Sequence, residues 1–227
     1  MQKLLYLLFD NAEADGTRLR ESLCEIAVPA LRSSGATEIS VFGNDADVAA
    51  GSPMGKCDPP IRAMVSFWLH DASERGPAEE ALALLASGIA GYLVLESRPV
   101  MHARSKGERT VGMKQMTCIA KRPDLTQEEF IRIWHDDHRE VAIETQSTFG
   151  YVRNEFIRSL TPDAPDHWSA LVEESFPIEA LEDPMVFFDA KTQQELEMNR
   201  KRMVESCARF LDFDSLEVTF VSEYWYG

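Results

Sequence analysis

Residues 126–138 read Thr-Gln-Glu-Glu-Phe-Ile-Arg-Ile-Trp-His-Asp-Asp-His, which gathers two imidazoles, four carboxylates and an indole into a short stretch. Thr126 and Glu129 have the spacing of a capping box, in which the threonine hydroxyl accepts an early backbone N–H and the glutamate reaches back to the cap, so a helix starts here. At about 100° per residue, with Trp134 as zero, Phe130 falls at roughly −40°, Val141 at roughly −20°, His138 at roughly +40° and Asp137 at roughly −60°. His138 therefore shares the inward apolar stripe with Phe130, Trp134 and Val141, while His135 sits on the shoulder and Asp136 faces water. An imidazole held among apolar neighbours beside an indole has a pKa that can move across neutrality, which suits general acid–base work and equally suits a buried structural histidine. Asp137 is a possible assistant, yet sequence neighbours on a helix do not face each other, so a direct pair with His138 is not expected. His135 and His138 could clip a metal from one helix, but no third ligand is identifiable and no metal site is assigned. On the following strand, alternation puts Tyr151, Arg153 and Glu155 on one face, where they either form a polar row or line the mouth of a pocket.

Two repeats of one element order are needed to position these residues. Gln2–Phe9 reads as a strand, and Asp15 as the cap of a helix whose apolar residues Leu19, Leu23, Ile26, Ala27, Ala30 and Leu31 recur at threes and fours. Strands follow at Thr37–Phe42 and Ile61–His70, separated by the Pro- and Gly-rich loop Gly51–Pro60, then a helix opened by Pro77 and a strand at Gly91–Ser97. After a polar linker at His102–Arg109, the order returns: a strand at Gly112–Arg122, a helix at Thr126–Thr148, and strands at Tyr151–Leu160 and Trp168–Phe176. A helix interrupted by Pro184 and resumed at Thr192–Ala208 leads to a closing strand at Leu216–Trp225. The order βαββαβ, repeated at about 110 residues, predicts an α+β fold of two tandem ferredoxin-like halves, residues 1–105 and 110–227, whose sheets face each other with helices outside. The first-half helix carries no histidine, so a site is expected in the second half alone.

The chain of 227 residues suits two such units, and 44% hydrophobic with 27% charged residues lets each half bury a core. Its net charge of −15 is spread over both halves, with 9 basic against 14 acidic residues in 1–105 and 14 against 24 in 106–227, so nucleic acid and anionic membrane are disfavoured partners. No segment reaches the roughly 18 apolar residues that cross a bilayer, and Leu4–Phe9 lacks the cleavage pattern of a leader. Cys24, Cys57, Cys118 and Cys207 are scattered, as expected of reduced thiols in a cytoplasmic protein. Phosphate-loop, dinucleotide, zinc-protease and nucleophile-elbow motifs are missing from the sequence.

From Met113 to His138 the chain has a strand ending in Arg122, the turn Pro123-Asp124-Leu125-Thr126, then Glu129-Phe130, and Trp134 four residues before His138. This register resembles the EthD family of dimeric α/β-barrel proteins over about residues 112–225, although Pro184–Lys191 lengthens the usual passage from sheet to helix. The resemblance implies an intramolecular dimeric α/β-barrel and small-molecule chemistry without an organic cofactor; the family includes polyketide-tailoring dehydratases and proteins associated with ether degradation. The expectation it supports is a lyase, dehydratase or oxygenase acting on a hydrophobic, cyclic or aromatic substrate, with His138 as proton-transfer group and Trp134, Tyr151 and Arg153 contacting the ligand. Two alternatives stay open: a non-catalytic small-molecule-binding or accessory protein, and a haem-binding barrel with His138 as axial ligand. Whether the chain is an enzyme, and whether it forms a homodimer, is also open at this point.

Overall fold

Eight antiparallel strands close into one barrel in a computed structural model that describes residues 1–11 and 16–227. The expected cap at Asp15 lies outside the described residues. The first half supplies β1 (Gln2–Phe9), β2 (Thr37–Gly43), β3 (Ile61–Leu69) and β4 (Gly88–Val100), and the second supplies β5 (Met113–Ile119), β6 (Gly150–Ser159), β7 (Ala170–Phe176) and β8 (Glu217–Trp225). Around the barrel the order is β1-β3-β2-β8-β5-β7-β6-β4, so each half keeps the ferredoxin-like order 4-1-3-2 and the seams are β2 with β8 and β4 with β6. Closure of this kind removes all four sheet edges. The two sheets thus join edge to edge instead of stacking as separate layers, and β4 runs longer than its sequence suggests because it pairs with both β1 and β6.

Alternation along each strand sends one set of side chains into the barrel and the other toward the helices. Inside, Leu5, Leu7, Phe42, Met64, Tyr92, Met116, Cys118, Leu171 and Val221 form an apolar core. The same inward rows end in charge: Lys3 binds Glu96 and, at 2.7 Å, Asn154 Oδ1, while Lys114 lies 3.0 Å from Glu173 and 3.1 Å from Glu223. The linker is pinned across this end, with His102 Nε2 3.0 Å from Glu223 and Arg109 donating to Ser222 Oγ at 3.0 Å.

Outside the barrel, helix α1 covers the first half and comprises Thr17–Ser22, a π-helical segment Leu23–Ala27 and Val28–Ser33. Helix α2 (Gly76–Ala83) packs beside it. In the second half α3 comprises Gln127–Arg132, the π-helical segment Ile133–His138 and Arg139–Thr145; α4 is Pro184–Phe187 and α5 is Gln193–Cys207. The capping box of Thr126 and Glu129 is present, with Glu129 N donating to Thr126 Oγ1 at 3.2 Å and Glu129 Oε2 accepting from Thr126 N at 2.8 Å. Two sequence expectations are corrected here. A π segment holds more than 3.6 residues per turn and so advances the inward face; Ala142 is buried in place of Val141, and Ile26 of α1 is exposed while Val28 takes the inner position. Pro184 does not interrupt a helix but opens one, at the first position where its missing N–H costs nothing, capped by Asp183 accepting from Met185 N at 2.8 Å.

Candidate functional site

Between α3, α5 and the outer face of the second-half sheet lies a cavity of about 370 Å³. Its walls are mostly aromatic and aliphatic, with Trp134 from α3, Phe187 and Phe188 at the end of α4, and Phe210 just after α5. That volume is in the range of small-molecule sites, which combine apolar walls with a few convergent polar groups. The loop between β2 and β3 reaches over from the first half, where Met54 pairs with Val218 through N–H···O bonds of 3.0 and 2.6 Å and places Ser52 and Met54 in the lining. Met54 and Phe213 are both exposed and mark its rim.

His138 borders this cavity. Its ring is buried, its Nδ1 shares a 2.9 Å hydrogen bond with Ser206 Oγ of α5, and it packs 4.8 Å from the Phe210 ring. Burial, helped by the Arg209 cation, pushes its pKa down to about 4, so the imidazole is neutral at physiological pH. Trp134 donates Nε1–H to the Tyr151 hydroxyl at 3.0 Å, and both line the cavity. Tyr151 is wholly buried, which raises its pKa well beyond the ordinary phenol value.

Arg153 and Asp137 are not among the lining residues. Arg153 shares the strand face with Tyr151, but its guanidinium lies over the Trp134 ring, 5.9 Å from the centroid, and donates to Ser97 Oγ at 2.9 Å. Asp137 is 37% exposed and ion-paired with Arg209 at the surface. His135 is held neutral by burial and by the Arg153 cation, its pKa pushed down to about 4, and lies 3.4 Å from Glu155.

The remaining polar groups come from positions that sequence patterning passes over. Glu174 of β7, Gln115 of β5 and Tyr151 of β6 stand in one row across the sheet, paired Gln115 with Glu174 and Glu174 with Tyr151. Glu174 is 9% exposed, and among the described residues its carboxylate has a single hydrogen-bond donor, the Gln115 amide at 3.5 Å. Burial alone pushes its pKa up to about 7. Gln146, just beyond α3, is 7% exposed and its Oε1 is buried without a hydrogen-bond partner. The signal that could have found Glu174 is the charged pair Glu173-Glu174 inside the otherwise uncharged run Ala170–Phe176. Both are buried, one on each face of the strand.

No family model matches the sequence, and no curated protein matches it. Among solved structures, an anthrone oxidase-like protein aligns with all of this chain and 94% of its own, with a TM-score of 0.62 at 8% identity. A mutant chlorite dismutase from Candidatus Nitrospira defluvii covers 97% of this chain and 91% of its own (TM-score 0.47, 9% identity). A dye-decolorizing peroxidase from Bacteroides thetaiotaomicron covers 96% and 92% (TM-score 0.47, 9% identity). At such identities the likeness concerns fold, and it rests on the anthrone oxidase-like structure: the chain is an α+β protein of the dimeric α/β-barrel class, with both halves of the barrel in one polypeptide.

Proposed function

We propose that this chain is a small-molecule enzyme of the EthD-like kind, working without an organic cofactor on a hydrophobic, ring-containing substrate held in the second-half cavity. The observation that carries the reading is the cavity itself: about 370 Å³ between helix and sheet, walled by aromatic side chains, with His138, Glu174, Tyr151, Gln115 and Gln146 turned into one lining. Residues 110–227 bear the site, and residues 1–105 complete the barrel and lend the Met54 loop to its rim. The EthD-like register around Trp134 and His138 supports the same side of the molecule. The chemistry this lining favours is proton transfer, as in a dehydration, another lyase step or the activation of a ring carbon toward oxygen, with neutral His138 hydrogen-bonding the ligand.

The lining does not fit haem. His138 could offer one ring nitrogen to iron, but the two haem propionates need cationic or donor-rich partners, and among the described residues lining the cavity there is no Lys or Arg while there is a buried carboxyl, Glu174. Among the described residues there is also no group of three or more His, Cys, Asp or Glu that could hold a metal ion, and no helix is long and apolar enough to cross a membrane.

Wild type and His138→Ala incubated with a library of polycyclic phenols and ketones, products read by mass spectrometry, test the proposal. Turnover in the wild type that is lost in His138→Ala, with the fold retained by circular dichroism, is the expected result. Binding of library members with no turnover of any would make the chain a carrier instead, and no binding at all would remove the cavity as a site.

A further inference from the structure

Glu174 is held differently from the other carboxylates of the barrel. Glu173 and Glu223, equally buried, are each gripped by Lys114, and Glu173 also lies 3.6 Å from Lys3. Among the described residues no cation pairs with Glu174: its donor is a neutral amide at 3.5 Å, and the cavity it faces has no Lys or Arg in its described lining. A buried carboxylate in that position is costly unless something outside the chain supplies a hydrogen. A second buried acceptor, Gln146 Oε1, is likewise unpartnered in the same lining. Across the row from Glu174, the Tyr151 hydroxyl accepts from Trp134 and so keeps its own hydrogen to give.

Resting on the reading of this cavity as the ligand site, we propose that Glu174 is its proton acceptor, taking a proton from an O–H or acidic C–H of a bound, uncharged ring compound. The ligand's bond to hydrogen breaks, a new O–H bond forms on the Glu174 carboxylate, and the electron pair left on the ligand is met by the Tyr151 hydroxyl. No electron is gained or lost in this step. The other groups facing Glu174 do not compete for the role. Cys207 of α5 is a thiol whose pKa burial pushes up to about 12, Tyr151 is a buried phenol, and His138 of α3 is too weak a base, its pKa near 4. Arg153, on the same strand face as Tyr151, spends its guanidinium on Ser97 and Trp134. A carboxyl poised near 7 is half ionised at neutrality, matched to exchanging a proton at that pH. The same charge turns away carboxylate ligands.

The probe is 2-naphthol, an uncharged bicyclic phenol that becomes a strong acid when excited by light. It then emits as its anion only if a base is within reach, and as the neutral molecule in a dry apolar pocket. With protein in excess, binding is read by quenching of Trp134, and proton transfer by the ratio of anion to neutral emission. The expected ratio rises on the order of tenfold or more between about pH 5.5 and about pH 8.5, and stays at its low value across that range in Glu174→Gln with binding retained. A ratio that is level with pH in the wild type would assign the acceptor to a group already basic at pH 5.5, such as His138, and overturn the proposal. The wild-type course decides this even if the variant does not fold. Absence of any quenching by naphthol would instead remove the cavity as a ligand site, a different failure from a bound naphthol that shows no pH dependence.

Discussion

The two halves present the same strands to their helices and fill the space between in opposite ways. By strand pairing, Leu4, Tyr6 and Leu8 of β1 stand opposite Phe67, Val65 and Ala63 of β3, and in the second half Gln115, Thr117 and Ile119 of β5 stand opposite Glu174, Val172 and Ala170 of β7. Under the helices, Leu19, Leu23 and Ala27 of α1 occupy the places of Phe130, Trp134 and His138 of α3, including the π-helical segment in each. The first half closes over Leu4 and Phe67 as solid core; the second opens a cavity over Gln115 and Glu174. Facing the barrel, the halves have stayed alike: Lys3 and Lys114 sit in equivalent places, both buried, both reaching Glu173. The repeated fold thus keeps its symmetry where both halves share one interior and loses it where one half opens a cavity.

The comparison breaks most sharply at Phe67. Phe67→Glu puts a carboxylate where a fully buried ring packs among apolar side chains of the first half, and is expected to cost on the order of 3 to 5 kcal/mol or to prevent folding; urea denaturation measures it. A loss below about 1 kcal/mol would mean the first half also has room for a charge there.

At the equivalent place in the second half the sign reverses with pH. The folded pKa of Glu174, near 7, lies above the 4.5 of an unfolded chain, so the native state binds more protons between those values and stability falls as pH rises through that window. Glu174→Gln removes the loss. It is expected to be more stable than wild type at about pH 8 by on the order of 2 to 3 kcal/mol, with the two converging below about pH 4.5. Thermal melts across that range check the crossing, and parallel pH curves for the two proteins would show that Glu174 is not perturbed.

A smaller effect is expected where the site is braced. Ser206→Ala removes the hydroxyl bonded to His138 Nδ1, at a cost of about 1 kcal/mol because the ring nitrogen loses a buried partner. An unchanged denaturation midpoint would place that nitrogen in contact with water instead.

What the sequence disclosed of this arrangement was local. The capping box of Thr126 and Glu129 involves residues three apart, and the strand order follows from alternation and turn residues, so the double ferredoxin-like plan and the helix carrying Trp134 and His138 could be read directly. The π-helical segments could not: they insert extra residue into a turn with no composition to mark it, and the inward face slips from Val141 to Ala142. Glu174, Gln146 and Ser206 were hidden for another reason. A polar residue in an alternating strand or at a helix face reads as a solvated surface, and only the packing of α3 and α5 over the sheet turns those positions inward. Arg153 and Asp137 show the converse, sharing a face or a helix with cavity residues while their charges are spent on Ser97, Trp134 and Arg209.

The difference between the halves is tested most directly by diffraction from crystals soaked in 2-naphthol. Ring-shaped density is expected among Trp134, Phe210 and Glu174, with its oxygen toward the Glu174 carboxyl, and none beneath α1 against Leu4 and Phe67. Density in the first half, or a second-half cavity closed by Phe187, Phe188 and Phe210 with no ligand between them, would contradict the account.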